Sequence, residues 1–81
     1  MPPPDDAREV LLDVRGLPPP EPMVMTLDRL ESLEPDEVLV HVNSRVPIYL
    51  LPILEERGWQ TEVRHLPETI VQVWIWRARS E

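Results

Sequence analysis

The sequence predicts an α+β fold: a two-layer α/β sandwich, β-α-β-α-β-β, with two helices on one face of a four-stranded mixed sheet. Three observations predict it. Four short runs alternate side chains at the strand period of two, at Glu9–Val14, Glu37–Val42, Trp59–His65 and Thr69–Arg77. Between the first three lie two runs with apolar residues at helical spacing. Each β-α-β unit closes as a right-handed parallel crossover, whereas the short Leu66-Pro67-Glu68 turn pairs the last two strands antiparallel, so both helices fall on one side.

Residues 1–7, with three prolines and two aspartates, offer nothing to bury and are expected to form a disordered tail. Residues 8–79 then make a single domain. In the first strand Val10, Leu12 and Val14 alternate with Leu11 and Asp13. Arg15 to Pro20 reads as a loop, because successive prolines cannot continue a central strand. The first helix is expected over Pro20–Leu33. Proline suits the opening turn, where its missing N–H has no partner to lose, and Glu21 complements the helix dipole. Met23, Val24, Leu27, Leu30 and Leu33 form its apolar stripe, and Glu34-Pro35-Asp36 ends it.

The second strand places Val38, Val40 and Val42 on one face and Leu39 and His41 on the other. Asn43 or Ser44 is expected to cap a second helix that begins near Val46-Pro47 and stops at Gly58. Pro52 inside it should kink the helix or delay its regular start. Val46, Tyr49, Leu50, Ile53 and Leu54 make the core stripe, while Ile48 and Leu51 fall outside it. In the fourth strand Val71, Val73 and Ile75 suit helix packing. That leaves Ile70, Trp74 and Trp76 on the side without helices, together with Leu11 and Leu39.

Composition limits the chemistry. The 81 residues contain no cysteine, which excludes disulfides, thiol catalysis and thiolate metal sites. Fifteen acids against eight arginines give a net charge of −7, a field that repels polyanions, so nucleic acid is not an expected partner. Met1 to Asp6 has neither the basic nor the apolar segment of a signal peptide. No apolar run is long enough to span a bilayer. A soluble cytoplasmic protein is the expectation.

Asp13-x-Arg15-Gly16-Leu17-x-Pro19-Pro20-Glu21-Pro22 resembles the signature of the TusA/SirA-like small sulfur-carrier proteins, which have Cys-Pro-x-Pro where this chain has Pro19-Pro20-Glu21-Pro22. The resemblance covers roughly residues 9 to 77 and implies the strand order 1-2-4-3. In that family the cysteine accepts a persulfide sulfur and passes it on. Pro19 stands at its position here, so the carrier activity does not transfer. The second half is similar to a cysteine-free branch, a domain of unknown function, through Pro47-Ile48-Tyr49-Leu50, Leu54-Glu55-Glu56-Arg57-Gly58 and Trp74-Ile75-Trp76-Arg77. That branch occurs beside redox-linked domains, which implies a redox- or sulfur-related protein partner.

Four features are candidate sites. The junction of Arg15, Gly16, Pro19, Pro20 and Glu21 is a docking edge or anion site, although its prolines remove amide donors; the alternative is a rigid connection. His41 and His65, with Asp13 and Glu62, are conceivable metal ligands, but strand four would separate the two imidazoles, and polar surface residues explain them as well. No metal or cofactor is therefore expected. Trp74 and Trp76 form an apolar patch for a protein partner or a homodimer, unless long side chains such as Arg64 fold over it. Surplus apolar surface on helix two would sit near the start of helix one. The expected function is a non-catalytic protein-interaction module on a sulfur-carrier-like scaffold. The alternative is a small-molecule or cofactor-binding domain using the sheet face or the helix-one junction. No enzyme is expected, since no Ser-His-Asp or metal cluster is evident.

Overall fold

The computed structural model describes residues 3–78. The elements run β1 (Arg8–Asp13), α1 (Glu21–Leu30), β2 (Glu37–Asn43), α2 (Leu50–Glu56), β3 (Trp59–Leu66) and β4 (Ile70–Arg77). The four strands form one sheet in the order β1-β2-β4-β3. β1 and β2 are parallel, with Val10 opposite Leu39 and Leu12 opposite His41. β4 runs antiparallel to both neighbours, placing Leu39 and Thr61 on either side of Ile75. Both helices lie on one face of this mixed sheet.

That face carries the core. Leu39, Val73, Ile75 and Trp59 from the sheet meet Leu30 of α1 and Leu50 and Leu54 of α2, with Val10, Leu12, Met23, Leu27, Leu33, Leu51 and Val63 around them. The α1 stripe is shifted from its expected position. Val24 points outward and is 57% exposed, and Thr26 is buried in its place. Met23, Leu27 and Leu30 keep their inward positions, as three-to-four spacing requires.

Two further expectations are corrected here. Leu39 and His41 were expected on the uncovered side of the sheet; they face the helices, and Val38, Val40 and Val42 face away. Strand alternation separates two faces but does not say which one meets the helices. Regular helix α2 begins at Leu50 rather than near Val46, the delayed start that was one of the two effects expected of Pro52. The N–H groups of Leu50 and Leu51 close a turn onto the Pro47 carbonyl, and Pro52 occupies the third helical position, where no ladder bond is lost. Tyr49, expected in the core, therefore lies just before the helix and is 76% exposed.

The uncovered face is screened by its own side chains. Trp74 lies opposite Val40, and Gln60 lies opposite Trp76. Trp76 retains 3% exposure and Val38 and Val40 1% each. The Arg64 guanidinium sits 4.0 Å over the Trp74 ring and is also bonded to Glu62, while the Trp74 indole N–H donates to Gln72 at 2.9 Å. Of the two expectations for this face, the one in which Arg64 folds over it is what is seen: Trp76 is buried and Trp74 half-buried, and indoles and an arginine stem cover the valines beneath them.

In the expected tail, Met1 and Pro2 lie outside the described residues; Ala7 N–H donates to the Pro4 carbonyl in a turn. Arg79, the last residue of the expected domain, also lies outside them. Among the described residues no helix is long and apolar enough to cross a membrane.

Candidate functional site

Parallel strands β1 and β2 end at the same edge of the sheet, so the loops that follow them leave side by side. Each loop then leads into a helix start. Between the two loops opens a groove of about 870 Å³. One wall is Gly16, Leu17, Pro18, Pro19, Pro20, Pro22 and Met23; the other is Ser44 to Leu50; Val14, His41 and Asn43 lie between them.

The first wall follows from its sequence. Gly16 adopts a φ of 82°, a left-handed conformation that favours glycine, and a Cβ there would meet nothing within 4 Å. Backbone shape, not lack of space, selects glycine. Leu17 N–H returns to the Val14 carbonyl at 3.3 Å, and the chain enters α1 through a cis Pro19-Pro20 bond. At the helix start Glu21 N–H is already bonded to the Pro18 carbonyl, Pro22 has no N–H, and Val24 N–H donates to Pro20. Met23 alone among the first three helical positions keeps a free donor, which makes this start a poor anion cradle.

Arg15 does not line the groove. Its Nε and a terminal nitrogen grip Asp13 at 2.9 and 2.7 Å, and its backbone N–H adds a third bond at 3.0 Å. These bonds, from the guanidinium first and then the backbone, hold the Asp13 carboxyl down at about 2. The same pairing raises the Arg15 guanidinium. Both side chains are nearly half exposed, so the pair is screened by solvent. Because solvent screens the pair, Arg15→Ala is expected to lower the urea midpoint at pH 7 only slightly, to remove the decline in stability that Asp13 causes below pH 3.8, and to leave the groove intact.

His41 is the unexpected member. It is fully buried, and both ring nitrogens have partners: Thr26 Oγ1 lies 2.9 Å from Nδ1 and Asn43 Nδ2 lies 3.2 Å from Nε2. The Thr26 hydroxyl spends its one proton on the Pro22 carbonyl at 2.7 Å, so it accepts from His41 and Nδ1 carries the ring proton. Nε2 is then the acceptor for the Asn43 amide. Asn43 Oδ1 in turn accepts from Ser44 N–H at 2.7 Å. The chain of bonds runs from the β2–α2 loop through the sheet to the start of α1, and so holds the two walls at a fixed separation. Burial pushes the His41 imidazole down to about 4, and it is neutral at physiological pH.

The sequence-predicted residues are only partly brought together. Gly16, Pro19 and Pro20 line the groove, whereas Arg15 and Glu21 do not. Trp74 and Trp76 lie on the opposite face of the sheet. His41 faces the helices and His65 is exposed on β3; β4 lies between their strands. Among the described residues no three His, Cys, Asp or Glu side chains converge as a metal site. Sequence reasoning set surplus apolar surface of the second helix, Ile48 with it, near the start of the first, but did not name Ser44, Arg45 or Tyr49 as lining residues. The signal for this second wall was the apolar run Val46-Pro47-Ile48-Tyr49 ahead of Pro52, which is richer than a core stripe needs.

Residues 11–77 match the sequence profile of a family described as "Uncharacterized conserved protein (DUF2249)". The chain belongs to this family. Its fold is similar to the crystal structure of a SirA-like protein from Desulfitobacterium hafniense, with a TM-score of 0.70 and 20% identity, covering 80% of this chain and 92% of that one. No curated protein matches the chain. The family therefore uses the SirA-like sandwich here with proline, and no cysteine anywhere in the chain, at the β1–α1 junction.

Proposed function

We propose that this chain is a non-catalytic protein-interaction module, and that it docks its partner at the groove between the β1–α1 and β2–α2 loops. The observation that carries the reading is the exposed apolar rim: Ile48 is 63% and Tyr49 76% exposed beside a proline wall with no nucleophile in it. Contact surfaces are built from such rigid aromatic and aliphatic anchors. On α1, Val24 and Met25 are also exposed, at 57% and 40%, yet do not line the groove. A small ligand would leave them in water; a protein partner covers them. A redox- or sulfur-related partner is the context the scaffold suggests.

A second reading, a small-molecule site, draws on the groove's volume of about 870 Å³, which falls within the range of drug-sized pockets. Because the chain lacks cysteine, a single introduced thiol can carry a photo-cross-linker. Ile48→Cys, so labelled, is expected to capture a discrete protein from lysate that Leu66→Cys, labelled on the far side, does not. Tyr49→Ala should reduce that capture at least several-fold. Equal capture from both positions, or none, would overturn the interaction reading.

A further inference from the structure

The groove is lined mainly by apolar residues and carries a single charged one. Arg45 is that residue, and among the described residues its guanidinium has no ion pair or hydrogen bond. Arg8, Arg15 and Arg64, by contrast, each grip a carboxylate. An unpaired arginine beside an apolar channel, on a chain with a net charge of −7, is a local inversion of sign.

The side-chain polar atoms at the floor of the groove are already occupied, which leaves the Ser44 and Tyr49 hydroxyls and Arg45 at its rim. Both His41 nitrogens are bonded, and Asn43 uses its amide on His41 and its oxygen on Ser44 N–H. The neutral His41 supplies no second cation. The backbone N–H groups of Arg45 and Val46 make no hydrogen bond among the described residues, so two donors lie beside the guanidinium in sequence, with the Met23 N–H on the opposite wall. One fork of donors with no companion cation matches one carboxylate, which guanidinium binds in bidentate fashion, and not a polyphosphate.

We infer that the groove receives an apolar segment of a protein partner bearing a single Asp or Glu, whose carboxylate pairs with Arg45 while apolar side chains lie between Pro19, Met23 and Ile48. The inference rests on the interaction reading above and adds the chemistry of the partner. It places the arginine as the element that sets orientation, since the apolar walls alone accept a segment in either direction.

The test uses three blocked hexapeptides of leucine and serine that differ at one position, Glu, Gln or Lys, with octanoate as a fourth probe, followed by NMR on the full chain. The Glu peptide is expected to shift groove amides and to bind at least five-fold tighter than the Gln peptide, with the Lys peptide weakest. Arg45→Gln should erase the Glu–Gln difference and leave the affinity for the Gln peptide intact. Arg45→Glu should reverse the order of the Glu and Lys peptides. Equal binding of the Glu and Gln peptides, with shifts in the groove, would overturn the carboxylate pairing while leaving the interaction reading standing. Groove shifts with octanoate and none with any peptide would overturn the protein source of the carboxylate. The cross-linking experiment at Ile48 fails or succeeds independently of both.

Discussion

Lowering the pH from 7 to 4 is expected to remove about 3 kcal/mol of folding stability, through His41 alone. In the unfolded chain this imidazole takes its proton near 6.5, and in the fold only near 4, because burial disfavours the cation. The folded state thus prefers the neutral ring. Its contribution is complete above the unfolded value and declines as the pH falls from 6.5 towards 4. Among the described residues the ring's hydrogen-bond partners are Thr26 and Asn43, neither of them a carboxylate. A proton on Nε2 would also confront the Asn43 amide with a second donor, and Asn43 cannot flip without giving up its bond to Ser44 N–H. Asp13 acts in a lower window: held at about 2 by Arg15, it costs stability only as the pH falls below its usual 3.8. Urea unfolding followed by tryptophan fluorescence at half-unit pH steps should show the first decline between pH 6.5 and 4 and a separate one below it. His41→Gln should flatten the first decline and spare the second. A stability profile that stays level from pH 7 to 4.5 would refute the account of His41.

The fold was legible because its signals are local. Alternation in Glu37–Val42 and Trp59–His65, the helical spacing of Met23, Leu27 and Leu30, and the stops at Glu34-Pro35 and Gly58 each need only a few neighbouring residues. Two of the departures show why the rest was not legible: one turned on a distant contact and one on where a proline sits in a helix. His41 looks like a surface residue until Thr26, fifteen positions away, is seen to satisfy its Nδ1. Tyr49 fits a core stripe only if the helix starts before Pro47; the structure instead places Pro52 in the first turn and puts Tyr49 outside the helix.

Half of the groove was visible for the same reason. Gly16, Pro19 and Pro20 belong to a contiguous motif. The opposing wall comes from residues 44–49, and only the parallel register of β1 on β2 brings it alongside. Arg45 carries no motif at all. Its isolation emerges once Arg8, Arg15 and Arg64 are seen to grip carboxylates; Arg57 makes no ion pair among the described residues either, but it does not line this groove. Glu21 sits in the first turn beside the helix dipole, a position that does not aim a side chain into the groove.

Trp76→Ala is expected to cost about 3 kcal/mol or more, and to do so without weakening the groove. The total stability of a domain this size is about 4 to 12 kcal/mol, at 0.05–0.15 kcal/mol per residue, so the variant should sit close to unfolding at 37 °C. The magnitude follows from burial: Trp76 keeps 3% exposure on a face where Val38 and Val40 depend on large neighbours for their own burial. Removing the indole leaves a cavity and wets the valines, and nothing on the helix side can shift through the sheet to fill it. Trp76→Phe should recover most of the loss. Denaturant unfolding monitored by far-UV circular dichroism separates these variants, and Ile48 cross-linking at a temperature where Trp76→Ala is folded tests the second half of the claim. A contact surface and a structural cover predict opposite pairs of results. If Trp76→Ala keeps its unfolding midpoint and loses the partner, the tryptophan face is the docking site and the groove is not. If it loses stability and keeps the partner, the indole serves as the lid of a second, smaller core, which is what its burial implies.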